Sequence, residues 1–159
     1  MSVKRPPKPT DWRRRFRDAK PAKRVVLDTD FAGIRAGTTL FVATPGLIAN
    51  YVARIPAGEV REIRRLRNEL ARRNDAEATC PVTTAIYLRV VAEAAWDDLQ
   101  DGVPIDRVVP FWRAIEPESP IARRLRCGAD WIRAMRESEA GRAPGEAPWT
   151  HDRSAARSV

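Results

Sequence analysis

The run from Val82 to Leu99 constrains the fold more than any other part of the chain. Val82, Ala85, Ile86, Leu88, Val91, Ala92, Ala95, Trp96 and Leu99 recur at intervals of three and four, which places them on one broad face of an α-helix. Thr79 is suited to cap this helix, and Pro81 fits its first turn, where a missing N–H costs nothing. Gly102 ends it. So wide an apolar stripe must be buried, and the rest of the chain has to supply the elements that cover it. The second half of the run carries Glu93, Asp97, Asp98 and Asp101, so only its first half suits a phosphate backbone.

Shorter signals surround it. Residues 39–42 are β-branched and apolar enough for a short strand or an extended lead-in, and Thr44-Pro45 opens a first body helix over 46–54. Ile55-Pro56-Ala57-Gly58 stops that helix. A second helix is expected over 59–74, with Ile63, Leu66 and Leu70 on one face and Arg61, Arg64, Arg65, Arg67, Arg72 and Arg73 spread over the others. Residues 103–115 read as extended, a wing or a loop around Val108 and Val109. Pro120 opens a last amphipathic helix through Leu125, Trp131, Ile132 and Met135, weakened at Gly128. This order predicts a mainly α body over 39–139, compatible with a winged helix-turn-helix-like DNA-binding domain with a short extended wing. Residues 140–159 are expected to form a disordered tail.

Charge is distributed unevenly. The chain of 159 residues has a formal net charge of +8, and the first 24 residues hold ten Lys/Arg against Asp11 and Asp18, which accounts for all of it. Residues 1–38 therefore read as a basic, mostly disordered arm, either an electrostatic tether for a polyanion such as nucleic acid or a solubilising tail. Trp12 and Phe16, interleaved with Arg13, Arg14, Arg15 and Arg17, can stack on bases or dock on the body. No apolar run approaches the roughly 20 residues that cross a bilayer, and the N-terminus lacks the apolar core of a signal peptide, so the expected compartment is the cytoplasm.

Few residues point to chemistry. Two cysteines, Cys80 and Cys127, and one histidine, His151, form no metal-ligand pattern, and no phosphate loop or catalytic triad is present, so neither metal nor cofactor is expected. Cys80 lies at a helix N-terminus, where aligned N–H groups lower a thiol pKa; it is a weak candidate nucleophile or a capping residue. Cys127, among Arg123, Arg124 and Arg126, is either activated by their charge or simply packed.

Three strings together resemble one family. Arg54-Ile55-Pro56-Ala57-Gly58-Glu59-Val60 is similar to the I-P-x-G-x-V segment of alkylguanine-DNA alkyltransferases and their catalytically inactive alkyltransferase-like relatives. Cys80-Pro81-Val82-Thr83-Thr84-Ala85-Ile86 falls where that family places its DNA-recognition helix, and Val109-Pro110-Phe111-Trp112-Arg113-Ala114-Ile115 where it has V/I-P-C-H-R-V-V. The resemblance covers roughly residues 44–136. It implies a recognition helix entering the minor groove of double-stranded DNA, with Thr83, Thr84 and Tyr87 facing the groove, or Tyr87 in the core beside Ile86, and Arg61, Arg64, Arg65 and Arg113 as further DNA contacts. Phe111 stands at the family's cysteine and Trp112 at its histidine, so the nucleophile and its base are both replaced. The family's arginine finger aligns with about Ala85 and its phosphate-rotating tyrosine with Ile63. Binding is still compatible with these changes, with Phe111 and Trp112 either walling a base pocket or forming core under the wing.

Three functions follow as expectations. The first is a non-catalytic DNA-binding protein of the alkyltransferase-like kind, sensing alkylated guanine and passing it to a repair partner. The second is residual methylated-DNA-protein-cysteine methyltransferase activity through a displaced cysteine. The third is a protein-interaction module on the same fold, using the acidic end of the long helix.

Overall fold

The computed structural model describes residues 4–141. In chain order its elements are α1 (Trp12–Arg17), β1 (Lys23–Val26), β2 (Thr39–Val42), α2 (Pro45–Ala53), α3 (Ile63–Arg73), β3 (Ala78–Thr79) and α4 (Pro81–Gln100). Two 3₁₀ turns, Ile105–Arg107 and Phe111–Arg113, lead to α5 (Pro120–Arg124) and α6 (Gly128–Glu139). The protein is mainly helical with one small three-stranded sheet. Residues 142–159, including His151 and most of the expected tail, lie outside the described residues.

The long helix forms where its apolar period demands it. Leu88, Val91, Ala92 and Ala95 of α4 are buried against α2, the Phe111–Arg113 turn and the other core side chains. Its cap is not Thr79 but Cys80, whose Sγ accepts from Thr83 N at 3.5 Å. Thr79 sits one residue too early: it is the last residue of β3, and its hydroxyl donates to Arg67 O at 2.8 Å. Thr44 does cap α2, accepting from Leu47 N at 3.1 Å.

The sheet is ordered β1-β2-β3. β1 and β2 pair antiparallel, with Lys23 opposite Val42 and Val26 opposite Thr39, while β2 and β3 pair parallel through Leu40–Ala78 and Phe41–Thr79. Both faces of the central strand are covered, so adjacent residues Leu40 and Phe41 are both buried.

Four expectations are corrected. Residues 12–38 are not a free arm: Asp11 caps α1 by accepting from Arg14 N at 3.0 Å, Trp12 is buried, and α1 packs along α4. Arg13 fixes it there, donating to Asp98 at 2.8 Å and Asp101 at 2.7 Å. The basic composition concealed this because its partners lie some 85 residues away. The second body helix starts at Ile63 rather than 59, because Gly58 turns the chain at φ 85° and the Arg61 N–H donates across the fold to Arg113 O at 2.7 Å.

The expected wing over 103–115 contains no strand. Its Val108, Phe111, Trp112 and Ile115 are buried, and the chain turns through the two 3₁₀ segments to deliver them to the core. The last helix is split in two. Gly128 has φ 78°, outside the helical region, and Arg126 between the halves donates its N–H to Glu93 Oε1 at 3.0 Å instead of continuing a helix.

Candidate nucleic-acid interface

The helical period that buries one side of α4 leaves its opposite side uncovered in the first half. Val82 and Ile86, four residues apart, are 47% and 46% exposed and form an apolar ridge. Thr83 and Tyr87 are half-buried on one flank of it, Ala85 and Arg89 on the other. Each flank falls into a groove.

On the Thr83 side, a groove of about 740 Å³ opens between α4 and the β1–β2 hairpin. Lys20 and Lys23 stand at it beside Phe31, Cys80, Thr83 and Tyr87. On the Arg89 side, a cavity of about 340 Å³ lies between α1, α4 and α5, with Trp12, Arg15, Arg89, Ile121 and Arg124 around it. The ridge thus runs between two sets of cations, and no ion pair among the described residues uses Lys20, Lys23, Arg15, Arg89 or Arg124.

The cations expected from sequence are mostly engaged elsewhere. Arg61 pairs with Glu59 at 2.9 Å. Arg65 pairs at 2.8 Å with Glu69, which also accepts from Tyr51 Oη at 2.6 Å; burial and that bond push Tyr51 up to about 12. Arg64 is exposed, but Glu62 and Glu116 share its cavity. Arg113, expected at DNA, is engaged within the fold. Its guanidinium is 12% exposed, forks onto buried Glu139 at 3.0 and 2.7 Å, and donates to Ile55 O at 2.7 Å, tying the Ile55 turn to the last helix.

Of the three α4 residues expected to face a DNA groove, Thr83 and Tyr87 are half-buried at the edge of a surface pocket and Thr84 is inside the core. Thr84 is 1% exposed and its hydroxyl donates back to Cys80 O at 2.6 Å, leaving nothing to offer a ligand. Phe111 and Trp112 are likewise core rather than pocket wall. Both are essentially fully buried; Phe111 stacks on Trp131 with centroids 5.5 Å apart, and Trp112 meets both rings edge-on.

The two cysteines are free. Cys80 is buried, and its Sγ also accepts from the Thr83 hydroxyl at 3.2 Å; no strong base among the described residues is bonded to it. Cys127 is packed rather than activated: burial and the charge of Glu93 push its thiol up to about 11.

Arg89 and Arg124 were missed in sequence. Arg89 had a signal: it is the only basic residue within α4 and lies seven residues after Val82, on the exposed face. Arg124 had none, because only folding brings α5 alongside. Compared with protein-family models, with curated proteins and with solved structures, the chain matches none.

Proposed function

We propose that this chain is a cytoplasmic, non-catalytic protein that binds double-stranded DNA across the first half of α4. In this reading α3, the turn through β3 and α4 act as a helix-turn-helix-like pair, with α4 presented to a groove. The observation that carries it is the Val82–Ile86 ridge lying between Lys20 and Lys23 on one side and Arg15, Arg89 and Arg124 on the other. Charges that flank a protruding helix face meet two phosphate strands, while the ridge and Thr83 meet base edges and sugars between them.

The alkyltransferase-like part of the reading is narrower than the resemblance implies. Docking on DNA is compatible with the exposed face; sensing alkylated guanine through Phe111 and Trp112 is not, because both rings are inside the core. Alkyl transfer through Cys80 forms no part of this reading, since the residue is 4% exposed and, among the described residues, its sulfur is bonded only to Thr83.

The test is equilibrium binding of the full chain to matched duplexes, with and without one alkylated guanine, across a salt series. Saturable binding with a steep salt slope and equal affinity for both duplexes is the expected result. A lesion preference that survives moderate salt would restore the sensor function and require another base pocket. Absence of duplex binding at low salt would end the reading.

A further inference from the structure

We propose that the cavity between α1, α4 and α5 is a binding site for one phosphoryl group, held by Arg15, Arg89 and Arg124. The proposal rests on the duplex-binding reading in naming a backbone phosphate as the occupant, and the same chemistry would take free phosphate. Three separate elements bring three arginines to the lining of a cavity of about 340 Å³, and none of the eight residues lining it is acidic. Elsewhere the protein neutralises its converging arginines: Arg13, Arg113, Arg126 and Arg133 each meet a carboxylate at 2.8 Å or less.

What holds the cluster together carries no net charge. The Arg89 guanidinium lies 4.8 Å from the centre of the Trp12 ring and donates to Arg124 O at 3.3 Å, while Arg15 lies 5.4 Å from the same ring. The indole and the carbonyl orient these cations and leave their charge uncompensated. Arg89 Nε is buried with no hydrogen-bond partner among the described residues, so the group is partly desolvated as well. Such a cluster attracts an anion, and arginines from three elements offer it several N–H donors of the kind a phosphoryl group accepts. Ile86 of the ridge lines the same cavity, so the site opens beside the face that meets the duplex.

The site has a consequence for the N-terminal segment. Trp12 and Arg15 belong to α1, so an occupant bonded to Arg15 and Arg124 ties α1 to the body, and ligand binding and α1 docking reinforce each other.

The test uses the full-length chain and the arginine Nε–Hε resonances, titrated with inorganic phosphate and, separately, with a short duplex at low salt. Arg89 and Arg124 signals are expected to shift saturably with both. Arg15→Gln and Arg124→Gln, both at exposed side chains, should each weaken duplex binding severalfold and lower the slope of log affinity against log salt by about one, whereas Arg72→Gln on α3 should leave the slope unchanged. Duplex binding with the parental slope in both variants would overturn the site while leaving the DNA reading intact. Saturation by phosphate without duplex binding would support the site and end the DNA reading. No saturable shift with either ligand would overturn the site outright.

Discussion

The two halves of α4 treat charge in opposite ways. In the C-terminal half, each of two arginines bridges two acidic residues: Arg126 meets Glu93 and Asp97, and Arg13 meets Asp98 and Asp101. In the N-terminal half, five cations flank an apolar ridge and meet no carboxylate among the described residues. The helix is thus closed by internal ion pairs at one end and flanked by unneutralised charge at the other, so its charge is divided along its own axis. At the acidic end, expected as a partner surface if this were an interaction module, the carboxylates are held in ion pairs within the protein, with Glu93 buried and Asp98 and Asp101 still exposed.

Helix α1 touches both halves, through Arg13 at one end of α4 and Trp12 at the other, and the comparison can be broken there first. Trp12→Ala should cost about 3 kcal/mol in chemical denaturation, because a nearly buried indole leaves a cavity and the stacking of Arg89 is lost. Loss of amide-exchange protection confined to α1 would identify local release; an unchanged melt would mean that α1 contributes nothing to the core.

At the acidic end, Arg126→Ala strands a carboxylate. Glu93 is 1% exposed and receives the Arg126 Nε at 2.8 Å, so destabilisation of about 2 kcal/mol is expected, reduced by the half-exposure of Arg126. DNA affinity at a temperature where the variant is folded should stay within about twofold, since this end is not the docking face.

The opposite half is tested by Ile86→Glu. A carboxylate on the ridge should lower duplex affinity at least about tenfold, equivalent to about 1.4 kcal/mol, while the thermal melt changes little because Ile86 is already half exposed. Unchanged affinity would remove α4 from the interface.

The smallest effect concerns pH at the acidic end. Cys127 has its folded value raised from 9.0 to about 11, so the folded state favours the thiol; that stability is complete below pH 9 and is lost as pH rises through 11. By pH 10 the loss should amount to about 1 kcal/mol, and Cys127→Ala should flatten this part of the stability profile. A profile identical in the variant would show that the thiol is hydrated and not held by burial and Glu93.

The helices were legible wherever a period or a punctuating residue encoded them. Thr44-Pro45 marked the start of α2, Gly58 its exit turn, and the apolar stripe the whole of α4. The site was legible only in part. Thr83 and Tyr87 are accessible at the edge of a surface pocket, but Thr84 is adjacent in sequence and a hundred degrees away around the helix, which puts it in the core. Phe111 and Trp112 look the same in sequence whether they wall a pocket or fill an interior; the ring of Trp131, contributed by α6, decides it.

The sequence by itself determined the long helix, its apolar face, the turns built on proline and glycine, and the excess of positive charge near the N-terminus. Those are local properties: a helical period and a backbone preference are set by residues a few positions apart. Tertiary structure alone decided which arginines are engaged and which remain open. Arg113 and Arg126 reach carboxylates 26 and 33 residues away, whereas Arg15, Arg89 and Arg124 converge on a cavity without one. An ion pair depends on distance in space, and that distance is set only when α1, α4 and α5 pack together.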